Sequence, residues 1–322
     1  MRVLLKSQIL MLCFSTLLIL AGCDRSNKAT QLKSNDSGFI QVDQGKLFYQ
    51  TFGSGTPIIV LHGGPGLDQG YLLPQMLELA KNHKVIFYDQ RGSGKSLETK
   101  INSSYINIDQ FTNDLEALRM QLGIKTFILL GHSWGGFLAM NYSIRYPDHL
   151  TALILLNTAP ADFKGQQAFV NEFTKRTQPI KNEIGPLFNY QEFEKLTALE
   201  ISKLYRTLFS VYFYDPKDTA ELTLKMSVLS AKSGAKVMEL MLKTSWLRPN
   251  TNLFPQLEKL NVPTLILHGK QDIVPLWTAQ EIKEAIPHAQ IITIEKCGHF
   301  PFIEKPNEVF LQINRFLADI EK

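Results

Sequence analysis

Short, unbroken apolar runs recur along the chain, separated by polar stretches of helical period. PIIVL (Pro57–Leu61), Lys84–Tyr88, Thr126–Leu130, Ala152–Leu156, Pro263–Leu267 and Gln290–Ile294 are such runs. A strand with no polar alternation is one buried on both faces, as in a parallel sheet. Phe39–Val42 and Lys46–Phe52 read as shorter strands around a turn at Gln44-Gly45. Between the runs, Asp109–Leu122 carries apolar residues at steps of three and four, Phe137–Arg145 continues likewise, and Pro306–Ile320 closes the chain as an amphipathic helix. Strands alternating with helices predict an α/β fold: a mostly parallel central sheet with helices on both faces. From 160 to 249 no buried strand run occurs, and the pattern is helical and rich in Phe, Tyr, Leu and Lys. The expected layout is a core of residues 38–159 and 250–322 with a helical cap, 160–249, inserted into it.

The N-terminus departs from this rhythm. Arg2 and Lys6 precede an apolar stretch, Ile9 to Ala21, which ends in LAGC, Leu20 to Cys23. A run this short fits a signal peptide better than a membrane span. LAGC resembles a bacterial lipobox, so residues 1–22 are expected to be removed and Cys23 to carry lipid, a membrane anchor on the periplasmic or cell-surface side. Residues 23–37, polar and rich in Ser, Asn and Lys, read as a flexible tether.

Composition changes little. The 322 residues are 44% hydrophobic and 20% charged, ordinary for a globular protein. The net charge is +4, two units of which belong to Arg2 and Lys6, and no strongly basic stretch points to nucleic acid. The cysteines are Cys13, Cys23 and Cys297; with the first two assigned to the signal and the lipid, no disulfide framework is left. No zinc-like spacing occurs, and neither metal nor cofactor is expected. The oligomeric state has no signature in the sequence.

The chemistry clusters where strands end. Gly131-His132-Ser133-Trp134-Gly135 is a G-x-S-x-G element between a strand and a helix. That context presents a serine hydroxyl on a tight turn at the carboxyl edge of a sheet. A serine nucleophile needs a base, and the base an orienting acid, in the chain order Ser, acid, His. Asp272 follows the strand PTLILHG, and His299 follows QIITI. His288 precedes its strand and is excluded; Asp162, also beyond a strand end, stands as a rival to Asp272. Oxyanion donors are expected from the backbone N–H groups of Gly64, in His62-Gly63-Gly64-Pro65-Gly66, and of Trp134. His62, His132 and His268 read as structural.

Together HGGPG, DQRGSGKS (Asp89 to Ser96), GHSWGG and CGHFP resemble the proline iminopeptidase branch of the α/β-hydrolase superfamily, from about Gly38 to the C-terminus, cap excepted. The resemblance implies an α/β-hydrolase fold, with His62, Gly63, Asp89 and Arg91 organising the site loops. It also implies release of an N-terminal residue, often proline, from short peptides, with cap carboxylates holding the substrate ammonium. Glu172, Glu183, Glu192, Glu194, Asp215, Glu221 and Glu239 are the acids available. The tryptophan–glutamate pair of larger iminopeptidases is absent, since Trp246 precedes Leu247. An esterase, lactonase or small-amide hydrolase would use the same machinery. A non-catalytic surface protein is the reading an intact triad argues against.

Overall fold

Alternation within single strands decides which side of the sheet each residue serves. In β3 (Pro57–Leu61), Ile58 and Val60 face one core layer while Ile59 and Leu61 face the other. β5 (Phe127–His132) and β6 (Leu150–Leu156) divide their side chains in the same way. A sheet apolar on both faces is stable only when covered on both, which is why helices lie on each side.

The computed structural model describes residues 34–320. The remaining strands are β1 (Asp36–Val42), β2 (Gly45–Phe52), β4 (Lys84–Tyr88), β7 (Thr264–Gly269) and β8 (Gln290–Ile294). The eight-stranded sheet has the order β1-β2-β4-β3-β5-β6-β7-β8, with β1 and β2 antiparallel and β4, β3, β5, β6, β7 and β8 mutually parallel. β5 lies near the middle, hydrogen-bonded to β3 and β6. The mostly parallel sheet is therefore as the apolar runs require, with a two-strand antiparallel edge turned at Gln44-Gly45, where both residues have positive φ.

The longer helices are α1 (Ile108–Gln121), α2 (Trp134–Arg145), α3 (Phe163–Thr177), α4 (Ala198–Ser210), α5 (Val228–Thr244), α6 (Leu276–Ala285) and α7 (Pro306–Ile320). α1, α2 and α6 cover one face of the sheet through Phe111, Leu115, Phe137, Ala279 and Ile282. α7 covers the other with Val309, Ile313, Phe316 and Leu317, a stripe at helical spacing. Burying each such side chain stabilises the fold by about 1.5–3 kcal/mol. α3, α4 and α5 fill the stretch between β6 and β7, closed at its base by a bridge between Asp162 and Asn252.

Three boundaries differ from expectation. β1 begins at Asp36, inside the stretch 23–37 expected to be a tether; pairing of Asp36 with Thr51 extends the strand into polar sequence. β5 runs on through Gly131 and His132, because Leu61 of β3 and Leu155 and Leu156 of β6 are there to pair with them. α2 starts at Trp134 rather than Phe137, as packing overrides the low helix propensity of Gly135 and Gly136. The lipobox-like segment with Cys23 lies outside the described residues. Among the described residues no helix is long and apolar enough to cross a membrane, and no group of three or more His, Cys, Asp and Glu is placed to hold a metal ion.

Candidate active site

The turn from β5 into α2 is as tight as the glycines flanking Ser133 permit. Ser133 has φ 57° and ψ −123°, a region side chains rarely adopt. A Cβ on Gly131 would lie 2.3 Å from the carbonyl oxygen of Gly135, and one on Gly135 2.4 Å from that of Leu61. The strained turn is held by the N–H of Ser133 on the Leu156 carbonyl at 3.1 Å and by the N–H of Ala159 on the Ser133 carbonyl at 3.0 Å. Among the described residues none hydrogen-bonds the Ser133 hydroxyl. Ser133 instead lines a cavity of about 30 Å³ with Gly64, Trp134, Ala159, Pro160, Phe169, Trp246 and Val274.

Gly64 and Trp134 thus meet Ser133 at one cavity. Gly64 has φ +125°, open only to glycine without strain. Trp134 is the first residue of α2, where backbone N–H groups have no partner in the helix and the helix dipole favours negative charge. Two donors beside a hydroxyl form an arrangement able to receive an oxyanion.

Asp272 and His299 come together from the ends of β7 and β8. His299 Nδ1 donates to Asp272 Oδ1 at 2.8 Å, and both residues are buried. The ring of His299 is 4.9 Å, centroid to centroid, from that of His132, the residue before Ser133. Asp272 also accepts from the Val274 N–H at 3.1 Å and, through Oδ2, from Asn157 Nδ2 at 2.6 Å. Burial alone would push the Asp272 carboxyl up. The charge and hydrogen bond of His299, with help from His268 and Asn157, outweigh burial and hold it below the ordinary carboxylate range. Asp272 is therefore anionic at neutral pH and directs Nε2 of His299 away from itself. Asp162 does not reach this pair; its carboxylate caps α3 at the N–H of Gly165, 2.8 Å away.

His62 and His132 are held neutral by burial and by their hydrogen bonds. His62 Nδ1 donates to the Gly63 carbonyl at 2.8 Å and Nε2 accepts from the Gln90 N–H at 3.0 Å; burial pushes its pKa down. His132 Nε2 donates to the His299 carbonyl at 2.8 Å, and Nδ1 accepts from the Tyr71 hydroxyl at 2.7 Å. Burial, then the neighbouring charge of His299, push His132 down to about 3. The Tyr71 oxygen in turn accepts from the Gly63 N–H at 2.6 Å. One neutral chain, Gly63–Tyr71–His132–His299, thus links the loop after β3 to the loop after β8.

Asp89 fixes two loops at once. Oδ1 accepts from the backbone N–H and the side chain of Gln69 at 3.1 and 3.0 Å, and Oδ2 from the N–H of Lys95 at 2.8 Å. Arg91 points the other way, forking onto Asp114 of α1 at 2.9 and 2.6 Å. Burial raises the Asp114 carboxyl to about 6 against the pull of that guanidinium.

Residues that sequence reading did not single out complete the site. Gln90 donates to the His62 carbonyl at 2.7 Å and accepts from the Trp134 indole at 3.0 Å. Asn157 also donates to the Gly298 carbonyl at 2.9 Å. Glu304 accepts from the N–H groups of Gly298, Phe300 and Tyr214 at 2.9, 3.1 and 2.8 Å. Of these, only the placement of Gln90 inside DQRG and of Asn157 directly after a buried strand left a trace in the sequence. Three of the acids between β6 and β7 are engaged by basic side chains: Glu172 pairs with Arg176, Glu194 with Lys232, and Glu239 with Lys236 and Lys243. None lines the cavity.

A family model described as the alpha/beta hydrolase fold matches residues 56–306. A proline iminopeptidase of Heyndrickxia coagulans is 29% identical over 294 residues, covering 88% of this chain and 99% of that protein. One from Saccharolobus solfataricus is 30% identical over 279 residues, covering 84% and 88%. Among solved structures, a proline iminopeptidase of Mycobacterium smegmatis superposes with a TM-score of 0.68 at 21% identity, covering 88% of this chain and 98% of that one. A bacterial membrane phospholipase A reaches 0.68 at 20% identity, with 89% and 87% covered. At such identities the superpositions speak for the fold alone.

Proposed function

The chain belongs to the alpha/beta hydrolase fold family, and from that premise we propose that it is a serine aminopeptidase releasing N-terminal proline or a small apolar residue from short peptides. Ser133 attacks the scissile carbonyl while Nε2 of His299 takes its proton, a contact that closes when substrate is bound. Asp272 holds the imidazole and stabilises the imidazolium. The N–H groups of Gly64 and Trp134 receive the oxyanion. His299 then protonates the leaving amine, and water releases the acyl group by the same steps in reverse.

What carries the substrate assignment is the end-to-end match to the Heyndrickxia coagulans iminopeptidase, 99% of whose length aligns with this chain. The test is turnover of proline p-nitroanilide by protein beginning at Ser34, lost in Ser133→Ala. An untouched proline amide beside a hydrolysed p-nitrophenyl ester would overturn it.

One observation favours a second reading. The cavity walls, built of Ala159, Pro160, Phe169, Trp246 and Val274 around the serine, carry no charged side chain. A substrate ammonium would find no carboxylate there, whereas an uncharged acyl group of an ester or amide would be at home. The same substrate pair separates the two readings.

We also propose that Cys23 is lipidated and holds the enzyme to a membrane on the periplasmic or cell-surface side. The support is the apolar stretch Ile9 to Ala21 closing in LAGC. Full-length protein would then partition into detergent and take up labelled palmitate, and Cys23→Ser would do neither.

A further inference from the structure

The loop that carries the acid is held from both sides. On the inner side, the N–H of Gln271 donates to the Cys297 carbonyl at 2.9 Å and that of Asp272 to the Gly269 carbonyl at 3.1 Å. The outer side is held by Arg176, near the end of α3. Its Nη1 reaches the carbonyls of Gln271 and Val211 at 3.1 and 3.3 Å, and its Nη2 the carbonyl of Asp272 at 2.9 Å. Nε is taken by Glu172 Oε1 at 2.7 Å, which orients the fork. Among the described residues no other donor serves the carbonyls of Gln271 and Asp272.

Val211 opens the segment that holds the base. The Tyr212 carbonyl accepts from the N–H of His299 at 2.8 Å. The N–H of Tyr214 donates to Glu304, whose carboxylate also gathers the N–H groups on either side of His299. A single guanidinium therefore ties the backbone of the acid to the segment that hydrogen-bonds the backbone of the base. It touches neither the cavity nor the reacting groups.

We propose that Arg176 is a positioning residue for the acid–base pair, fixing Asp272 against His299 through the carbonyls of Gln271, Asp272 and Val211. The proposal rests on the reading of Ser133, His299 and Asp272 as the catalytic residues. A planar fork can bridge carbonyls on two chain segments at once, and a lysine ammonium on its flexible stem cannot hold the same geometry. Displacements of about 1 Å in such a pair are enough to cost roughly a hundredfold in rate.

The experiment compares Arg176→Ala, Arg176→Gln and Arg176→Lys with the parent protein. Three readouts are taken: kcat and KM on whichever of proline p-nitroanilide and p-nitrophenyl butyrate is turned over, the rate of fluorophosphonate labelling, and the downfield proton resonance of the His299 Nδ1–H bonded to Asp272. In Arg176→Ala and Arg176→Gln, kcat and labelling should fall roughly ten- to hundredfold, while KM stays within about twofold. The downfield resonance should broaden or shift. Arg176→Lys should fall between, with an unchanged melting temperature.

Parent-like kcat and an unchanged resonance in a folded Arg176→Ala would overturn the proposal. So would a raised KM at constant kcat, the mark of a substrate contact. If Arg176→Ala does not fold, Arg176→Lys decides: a folded lysine variant with parent kcat overturns the proposal, and one with reduced kcat supports it. Loss of folding in all three variants counts against it, since the guanidinium would then be a general brace. Failure of the Ser133 reading shows separately, as parent protein that no fluorophosphonate labels; the proton resonance requires no substrate and still reports on Arg176.

Discussion

The side-chain amide of Asn157 lies 2.6 Å from Oδ2 of Asp272, on the side of the carboxylate away from His299. Both residues are buried, and Asn157 occupies φ 43°, a left-handed conformation that asparagine and aspartate tolerate better than most residues. The acid is thus gripped by a base on one oxygen and a neutral donor on the other.

Replacing that donor by a carboxylate tests the grip without changing shape or backbone preference. Asn157→Asp sets a second negative charge against Asp272, and stability at pH 7 should fall by about 2–4 kcal/mol. The new carboxyl, raised by its neighbour, binds a proton more readily folded than unfolded. The deficit should therefore shrink as pH falls from 7 toward 5. Urea denaturation across that range reads it; a deficit that is constant with pH would refute the like-charge explanation.

His132 gives the opposite pH dependence. Its pKa is pushed down to about 3, mainly by burial, against an ordinary value of 6.5. As pH falls through that window the unfolded chain takes the proton first, so stability is lost at up to about 1.4 kcal/mol per pH unit. Asp68 and Asp114, raised to about 6 by burial, act in the other direction. The contribution of His132 is therefore the difference between the parent and His132→Asn, which should lose stability less steeply between pH 6.5 and 4.5. Parallel slopes would exclude it.

Helix α5 comes down on the loop after β3 with no room for a methyl group. A Cβ on Gly234 would lie 2.0 Å from the carbonyl oxygen of Gly66, itself at φ +95°. Gly234→Ala should cost about 1–3 kcal/mol by overpacking and slow turnover by shifting the loop that carries Gly64. At Gly185 a Cβ meets nothing within 4 Å, so Gly185→Ala should leave thermal melting within about 0.5 kcal/mol of the parent.

Trp246 closes the cavity, its ring 5.3 Å from that of Trp134 and 5.2 Å from that of Phe137. Trp246→Ala should cost about 3–5 kcal/mol and raise the rate on long acyl esters relative to short ones. An unchanged chain-length profile would mean that this wall does not set substrate size.

Three strands were legible to the residue: PIIVL, Lys84–Tyr88 and Gln290–Ile294 coincide with β3, β4 and β8, and Pro306–Ile320 with α7. Each is bounded by a local signal, a proline or a change of polarity. The ends of β5 and α2 at the elbow carry no local signal: the sheet extends through a glycine and the helix starts on two more, because pairing with β3 and β6 overrides local preference. The tight turn at Gly131, Ser133 and Gly135 was legible because backbone crowding is a local matter, and the placing of Asp272 and His299 beyond strand ends because each follows an apolar run. Tyr71 and Arg176 were not. Their partners, such as His132 for Tyr71 and Asp272 for Arg176, lie far away in the chain. Nothing in their neighbouring residues encodes the meeting. For the same reason nothing local reveals that Glu172, Glu194 and Glu239 are taken by Arg176 and by lysines.

The bonds from Arg176 to Asp272 and from His299 to Tyr212 fasten the segment between β6 and β7 to the loops after β7 and β8. With Ser133, Asp272 and His299 as the proposed catalytic residues, specificity is not expected to be exchangeable as a cassette. A chimera given residues 160–249 from another hydrolase would receive new pocket walls together with foreign mountings for its acid and base. Redesign that spares Arg176 and the Val211–Tyr214 segment, and alters only what lies between them, keeps the chemistry while changing the guest.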